Sequence, residues 1–350
     1  MTEDKSKLHD IDGNFKTEQD FTTKKSVEVA ANGRFVRQTN EFIATFGDDI
    51  ENGELPVEAG KYRLLWAPVC PWAHRSVIVR KILGLEDVIS LGTADPLRPK
   101  LDHIDWSFTL DEGDVDPVLG IKYIGEVYEN ADPNYLTDGK RPTVPALVDI
   151  ESKKVVENDY HNLTYYFERD WKKFHKKGAP DLFPEDLEQD IRELNDIVFL
   201  EVNNGVYRAG FARSQEAYEK AYDRLFARLD WLEERLSKRR YLHGDRLTDS
   251  DVRLYTTLAR FDVAYYSAFN CNRNRLIDFP NLWAYARDLY QTYGFGDTTD
   301  FEAIKKHYFL STHIDPTEDH QKILPKGPEL SVWTNWNEPH GRDKIDFEIK

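Results

Sequence analysis

One cysteine sits where a strand gives way to a helix, in the run Cys70-Pro71-Trp72-Ala73-His74-Arg75. A cysteine at a helix N-terminus faces unpaired backbone N–H groups and the positive end of the helix dipole. Both favour thiolate over thiol and can lower a cysteine pKa from about 8.5 into the range of about 3.5–7.5. A Cys-x-x-Cys redox motif would need a second cysteine at position 73, and Ala73 stands there. No internal disulfide cycle can form, so an oxidised Cys70 must be resolved by a thiol from outside, and mixed-disulfide chemistry follows. The competing reading is a buried, inert cysteine. The other cysteine, in Phe269-Asn270-Cys271-Asn272, has no activating context and reads as packing. No pair of histidines or carboxylates has metal-ligand spacing, so no metal is expected.

The elements that would position Cys70 can be read from the pattern. Lys61 to Trp66 suits a buried strand. Residues 71–83 suit a helix with Pro71 in its first turn, where a missing N–H costs nothing, and Gly84 closes it. Leu85 to Leu91 suits a second strand. Residues 93–120 form a long acidic insert, of a length that is usually functional or disordered. Ile121 to Tyr128 is weakly periodic. Thr143 to Asp149 reads as a strand interrupted by Pro145, with Lys154 to Val156 able to pair with it, and Asn158 to Trp171 returns to helical spacing. Pro145 cannot donate to a ladder. It is either an edge-strand proline or the cis-proline that, in thioredoxin-like folds, sets the preceding backbone against an incoming thiol. This half is a small α/β unit.

The second half reads as all helix, over residues 186–203, 215–237, 248–262, 281–292 and 300–308. In the second of these Ala221, Leu225, Leu229, Leu232 and Leu236 recur at steps of three or four, a core-facing stripe. The third opens with Thr248 as N-cap, Asp251 at the third helical position and Leu247 able to staple onto Val252. A composition shift near Pro180 to Pro184 marks the domain boundary. Residues 1–56 read as a polar arm with one short element around Arg34 to Phe46. The last forty residues are Pro-punctuated coil that Trp333 and Trp336 can anchor.

Composition limits the partners. The chain has 350 residues, enough for two domains, and 40% of them are hydrophobic. Against 63 acidic residues stand 47 basic ones, a formal charge of −16. That balance repels phosphate backbones, so neither nucleic acid nor an anionic membrane is an expected partner. No stretch approaches the roughly 20 apolar residues of a membrane helix, and the charged start MTEDKSKLHD has no apolar signal region. A cytoplasmic protein is expected.

Six pieces of sequence carry a resemblance to a known family. They are Cys70-Pro71-Trp72-Ala73-His74-Arg75, Ala131-Asp132-Pro133-Asn134-Tyr135, Val202-Asn203-Asn204-Gly205-Val206-Tyr207, Arg239-Arg240-Tyr241-Leu242, Pro280-Asn281-Leu282-Trp283-Ala284-Tyr285 and Leu324-Pro325-Lys326-Gly327-Pro328. Over about Gly60 to Gly327 the chain resembles the glutathionyl-hydroquinone reductases, the Xi class of the glutathione transferase superfamily. The resemblance implies an α/β thioredoxin-like domain over 57–178 and an all-α transferase domain over 179–313, flanked by the arm (1–56) and a C-terminal extension (314–350). It implies a homodimer, glutathione as co-substrate, and reduction of a glutathionyl-hydroquinone to the free hydroquinone.

Roles come with it, residue by residue. Cys70 attacks the conjugate sulfur. Tyr207 matches the tyrosine that protonates the leaving ring carbon, and a phenol with pKa near 10 holds its proton at neutral pH. Tyr265 and Tyr308 match tyrosines that hydrogen-bond the thiolate, though in a chain with 18 tyrosines core packing is the competing reading. Trp106 matches a tryptophan that contacts glutathione, Arg141 can pair with a carboxylate, and Val144 offers backbone bonds to the cysteinyl part. His74 and Arg75 read as structural support. The family's Glu-Ser pair, which grips the γ-glutamyl end, is replaced by Asp159-Tyr160, unless Glu157 serves after a shift. The same chemistry with another low-molecular-weight thiol, such as mycothiol or bacillithiol, is therefore an alternative, as is a non-catalytic transferase-like scaffold.

Overall fold

The structure is a computed structural model that describes residues 29–99, 101–311, 323–335 and 338–344. Residues 1–28 of the N-terminal arm and Trp336 lie outside the described residues. The chain divides into two compact units. One takes the described parts of Met1–Thr39, Phe183–Ala286 and His340–Lys350; the other takes Asn40–Leu182 and the described parts of Arg287–Pro339.

The Asn40–Leu182 stretch begins with two parallel two-residue strands, β1 (Phe46–Gly47) and β2 (Leu55–Pro56). Then follow β3 (Tyr62–Trp66), α1 (Pro71–Leu83), β4 (Ser90–Thr93), α2 (Gly125–Ala131), β5 (Ala146–Asp149), β6 (Lys154–Glu157) and α3 (Leu163–Arg169). The order strand, helix, strand, insert, helix, strand, strand, helix is the expected one. The four main strands form one sheet in the order β4-β3-β5-β6, with β3 and β4 parallel and the other two pairings antiparallel. Every residue of β3 is buried, and so is every residue of α1 except Lys81, because α1 packs between the sheet and α3. Gly84 ends α1 in the left-handed region at φ 76°, and a Cβ there would come 2.7 Å from the Lys176 side chain.

Two boundaries differ from the sequence expectation. The second strand begins at Ser90 rather than Leu85, because the Arg80 guanidinium takes the carbonyls of Ile89 (2.5 Å) and Glu86 (2.9 Å) and turns that segment. The last helix begins at Leu163 rather than Asn158, because the Asp159 carboxylate accepts from the His161 N–H (3.0 Å) and the Asn162 amide (2.7 Å) and holds a turn.

The acidic insert is tied to the sheet from inside. Arg63 on β3 donates to Asp116 at 2.7 Å, both side chains buried, and Asp116 also accepts the N–H groups of Val118 and Leu119. A Cβ at Gly92 would lie 2.7 Å from the Asp116 carboxylate, so glycine is what lets the insert approach β4. Removing one member of such a pair costs about 3–5 kcal/mol.

The other unit is helical: α4 (Glu188–Val198), α5 (Gly205–Gly210), α6 (Gln215–Leu236), α7 (Asp249–Arg260), the short α8 (Tyr266–Ala268) and the start of α9 (Pro280–Tyr290). The α6 stripe is buried at Leu225, Leu229, Leu232 and Leu236 as the spacing predicts, while Ala221 stays half-exposed. The α7 capping box forms as expected: Asp251 accepts from the Thr248 backbone N–H at 2.8 Å and its hydroxyl at 3.0 Å. Two single π-helical turns, Phe199–Asn203 and Phe261–Tyr265, stand at the ends of the segments that read in the sequence as helices over 186–203 and 248–262.

Beyond α9 the chain returns to the sheet-containing unit with α10 (Phe301–Leu310) and α11 (Ser331–Thr334). Trp333 on α11 is buried against Tyr290 and Phe301, at ring distances of 5.5 and 5.3 Å, so it anchors the extension as expected. No helix among the described residues is long and apolar enough to cross a membrane.

Candidate active site

Cys70 is the N-cap of α1, at φ −78° and ψ 117°, and is half-buried. Its carbonyl accepts the His74 N–H at 3.0 Å, and Pro71 occupies the first helical position. The thiol lies 3.3 Å from the Val144 carbonyl and donates to it. That contact requires the proton, whereas the N-terminus of α1 favours its loss. The two effects meet on one sulfur.

Val144 is placed by a polar knot. The Tyr128 hydroxyl donates to the Thr143 carbonyl at 2.8 Å, and the Asn158 amide donates to the Thr143 hydroxyl and the Tyr128 oxygen, each at 3.2 Å. The Val144–Pro145 bond is cis, and Pro145 immediately precedes β5, an inner strand, which disposes of the edge-strand reading. Flanking the motif, the rings of Trp72 and Tyr160 lie 4.9 Å apart, the Arg75 guanidinium sits 4.7 Å from the Trp72 ring, and His74 hydrogen-bonds Thr298 at 2.8 Å. His74 and Arg75 are fully buried.

Asp159 is heavily engaged. Besides the His161 and Asn162 donors, the Asn40 amide reaches it at 3.0 Å. Glu157 is fully buried, and burial pushes its carboxyl up to about 9, so it is neutral at pH 7. Its Oε1 accepts the Asp159 N–H at 2.5 Å, and its Oε2 has no hydrogen-bond partner among the described residues. Arg141 is half-buried, and burial lowers its pKa.

Trp106 is 2% exposed and lies in a stack. The His307 ring is 5.4 Å from it at 17°, and Tyr308 meets His307 edge-on at 5.3 Å. The Arg98 guanidinium lies 3.9 Å from the Trp106 ring centre. Sequence reasoning missed Arg98 and His307. Arg98 carries one signal, its place in Pro96-Leu97-Arg98-Pro99, where two prolines restrict the backbone on either side.

Cys70, Trp106, Arg141, Val144, Asp159, Tyr160 and Tyr308 thus belong to the sheet-containing unit. Tyr207 and Tyr265 belong to the helical unit, where they meet: hydroxyls 3.5 Å apart, rings 5.8 Å apart and inclined at 62°. Tyr265 ends one π-turn, and Tyr207 lies four residues beyond the other, on α5. Such turns are frequent at functional sites. The Arg37 guanidinium covers the Tyr207 ring at 4.8 Å while donating to Asn204 at 3.0 Å. Cys271 is fully buried, and burial pushes its thiol well up, as an inert packing cysteine requires.

Comparison with known proteins bears on what this arrangement is. Residues 215–288 match the model of the glutathione S-transferase C-terminal domain. The glutathionyl-hydroquinone reductase YqjG of Escherichia coli is 38% identical over 294 residues, which cover 83% of this chain and 85% of that protein. The chain belongs to the glutathionyl-hydroquinone reductases, the Xi class of the glutathione transferases. It is an enzyme of that kind.

Solved structures of Xi-class and related transferases agree. A glutathione transferase from Gordonia bronchialis is 50% identical, with TM-score 0.80 and coverage of 87% of this chain and 91% of that one. The Xi transferase of Phanerochaete chrysosporium is 37% identical, with TM-score 0.78 and coverage of 86% and 94%. YqjG has been solved with glutathione bound, at 38% identity, TM-score 0.74 and coverage of 83% and 90%. The mixed α/β unit followed by helices is the transferase fold.

Proposed function

We propose that this protein reduces glutathionyl-hydroquinones to hydroquinones with glutathione, through a mixed disulfide on Cys70. The observation that carries the reading is Cys70 itself, a half-buried residue at the N-cap of α1 whose thiol meets the Val144 carbonyl, with no second cysteine on α1 to form a disulfide. The Cys70 thiolate attacks the sulfur of the conjugate. The carbon–sulfur bond breaks, its electron pair stays on the ring carbon, and that carbon takes a proton to give the hydroquinone. Cys70 is left disulfide-bonded to glutathione. A second glutathione thiolate attacks that disulfide, releasing oxidised glutathione and the Cys70 thiolate.

Tyr207 is the proton donor in this scheme, with Tyr265 beside its hydroxyl and Tyr308 near the thiolate; these roles rest on the family match. Trp106, Arg141 and Val144 hold the peptide, and Asp159 and Tyr160 meet its γ-glutamyl end. The enzyme works in the cytoplasm as a homodimer. The test is hydroquinone release from glutathionyl-menadiol with glutathione as sole reductant. Wild type turns over, and Cys70→Ser falls to the uncatalysed background. Turnover that survives in Cys70→Ser refutes the mechanism.

A second reading has its own support: the Asp159 carboxylate already holds three donors, and the Tyr160 ring is packed on Trp72. Losing charge-assisted contacts of about 1.5–3 kcal/mol each weakens a complex tens-fold. A thiol without a γ-glutamyl group escapes that loss. Faster resolution of the Cys70 mixed disulfide by mycothiol or bacillithiol than by glutathione would favour it.

A further inference from the structure

Three buried N–H donors in the acidic insert lack an acceptor. They are Nε and Nη1 of Arg98 and Nε1 of Trp106, none of which has a hydrogen-bond partner among the described residues. Buried polar groups are nearly always satisfied, so three orphan donors in one stack call for an acceptor group that the free chain does not supply. Nor is Arg98 neutralised within the insert. Asp105 is the insert carboxylate whose charge it feels, but that carboxylate is spent on the N–H groups of Trp106 (2.7 Å) and Gly125 (3.0 Å) and on His103 (3.1 Å). Among the described residues no carboxylate pairs with Arg98. Burial brings its pKa down to about 10, which leaves it charged at neutral pH.

The stack fixes where those donors are presented. His307 holds one end of it, with Nδ1 2.9 Å from the Pro96 carbonyl, two residues before Arg98. A guanidinium lying on an indole keeps its N–H groups in its own plane, directed outward from the stack and available to a planar anion. A thiolate at Cys70 would favour the charged form of Arg98, so the orphan donors lie within electrostatic reach of the reacting sulfur.

We propose that Arg98, laid on Trp106, receives the terminal glycyl carboxylate of the thiol co-substrate. The assignment rests on the reading above that a glutathione-like thiol is bound beside Cys70. Trp106 Nε1 gives the same carboxylate a neutral donor. The peptide then lies with its sulfur at Cys70 and its far end on the Arg98–Trp106 stack, while Asp159 and Tyr160 face the γ-glutamyl end.

Calorimetric binding of S-methylglutathione and of its glycyl monoethyl ester tests this, since the two differ by one negative charge and neither needs turnover. Wild type should prefer the free acid by roughly 10–100-fold, the worth of a charge-assisted hydrogen bond. Arg98→Met should bind both analogues alike, at the level of the ester, and Arg98→Lys should show an intermediate preference. Equal binding of acid and ester by wild type, or an undiminished preference in Arg98→Met, overturns the assignment. Should Arg98→Met not fold, an unchanged preference in Arg98→Lys overturns it instead, because a lysine ammonium cannot present in-plane donors from the Trp106 face. A wild type that binds neither analogue refutes the thiol reading itself, an outcome distinct from loss of discrimination.

Discussion

At the scale of single residues, the Glu157 carboxyl decides what can grip an ammonium group. It sits at the end of β6, fully buried, and its pKa of about 9 leaves it without charge at pH 7. A carboxyl that is neutral in the free chain offers no standing charge to an ammonium group, which favours Asp159 over Glu157 for the γ-glutamyl end proposed above. The same shift makes a stability prediction. The folded-state value of about 9 lies above the ordinary 4.5, so between those pH values the folded chain binds this proton and the unfolded chain does not. Its contribution is therefore full below about pH 4.5, falls as pH rises, and is gone above about 9. Glu157→Gln keeps the shape and removes the titration. Urea unfolding at pH 5, 7 and 9 should show the variant gaining on wild type by a few kcal/mol across that range, an order-of-magnitude figure. A constant gap between the two proteins would show that Glu157 titrates normally.

At the scale of elements, helix ends matter more than helix interiors. Asp251 in the first turn of α7 accepts from the Leu242 and Thr248 N–H groups, the Thr248 hydroxyl and the Tyr285 hydroxyl, the last at 2.7 Å, and so joins α7 to α9. Asp251→Ala leaves those buried donors without an acceptor and should destabilise the protein by about 3 kcal/mol or more, with Asp251→Asn recovering part of the loss. Chemical denaturation followed by tryptophan fluorescence measures both; an alanine variant of wild-type stability would show that the packing alone holds α7. The sequence carried this cap openly, along with Pro71 and Gly84 bounding α1 and the leucine stripe of α6. It hid features that lie in side-chain capture of backbone and in breaks of helical phase. Arg80 shortens the strand after α1 through two carbonyls, and no periodicity records that. The π-turn at Phe199–Asn203 shifts the phase of the helical pattern just before α5, which, bounded by Gly205 and Gly210, leaves no continuous period to read. Cys70 was legible because a helix N-terminus is a local signal. The Arg98–Trp106 stack was not, because it joins residues eight apart in a loop with no repeat to mark them.

At the scale of the whole molecule, the charge of −16 opposes the co-substrate proposed for it, since glutathione carries a net negative charge at neutral pH. Two fields of different range act on an approaching thiol. The overall repulsion extends about 30 Å at an ionic strength of 0.01 M and only about 8 Å at 0.15 M. The attraction of Arg98 and Arg141 is felt at contact, from groups that are largely or half buried, where salt screens little. Salt should therefore weaken the repulsion first. kcat/KM for glutathione should rise a few-fold between those ionic strengths, as for any encounter slowed by like charge. Glutathione glycyl monoethyl ester, with no net charge, should show almost no salt dependence and serves as the control. A fall in kcat/KM for glutathione would mean that the cations around the site set the field far out into solvent, overriding the acidic surface around them.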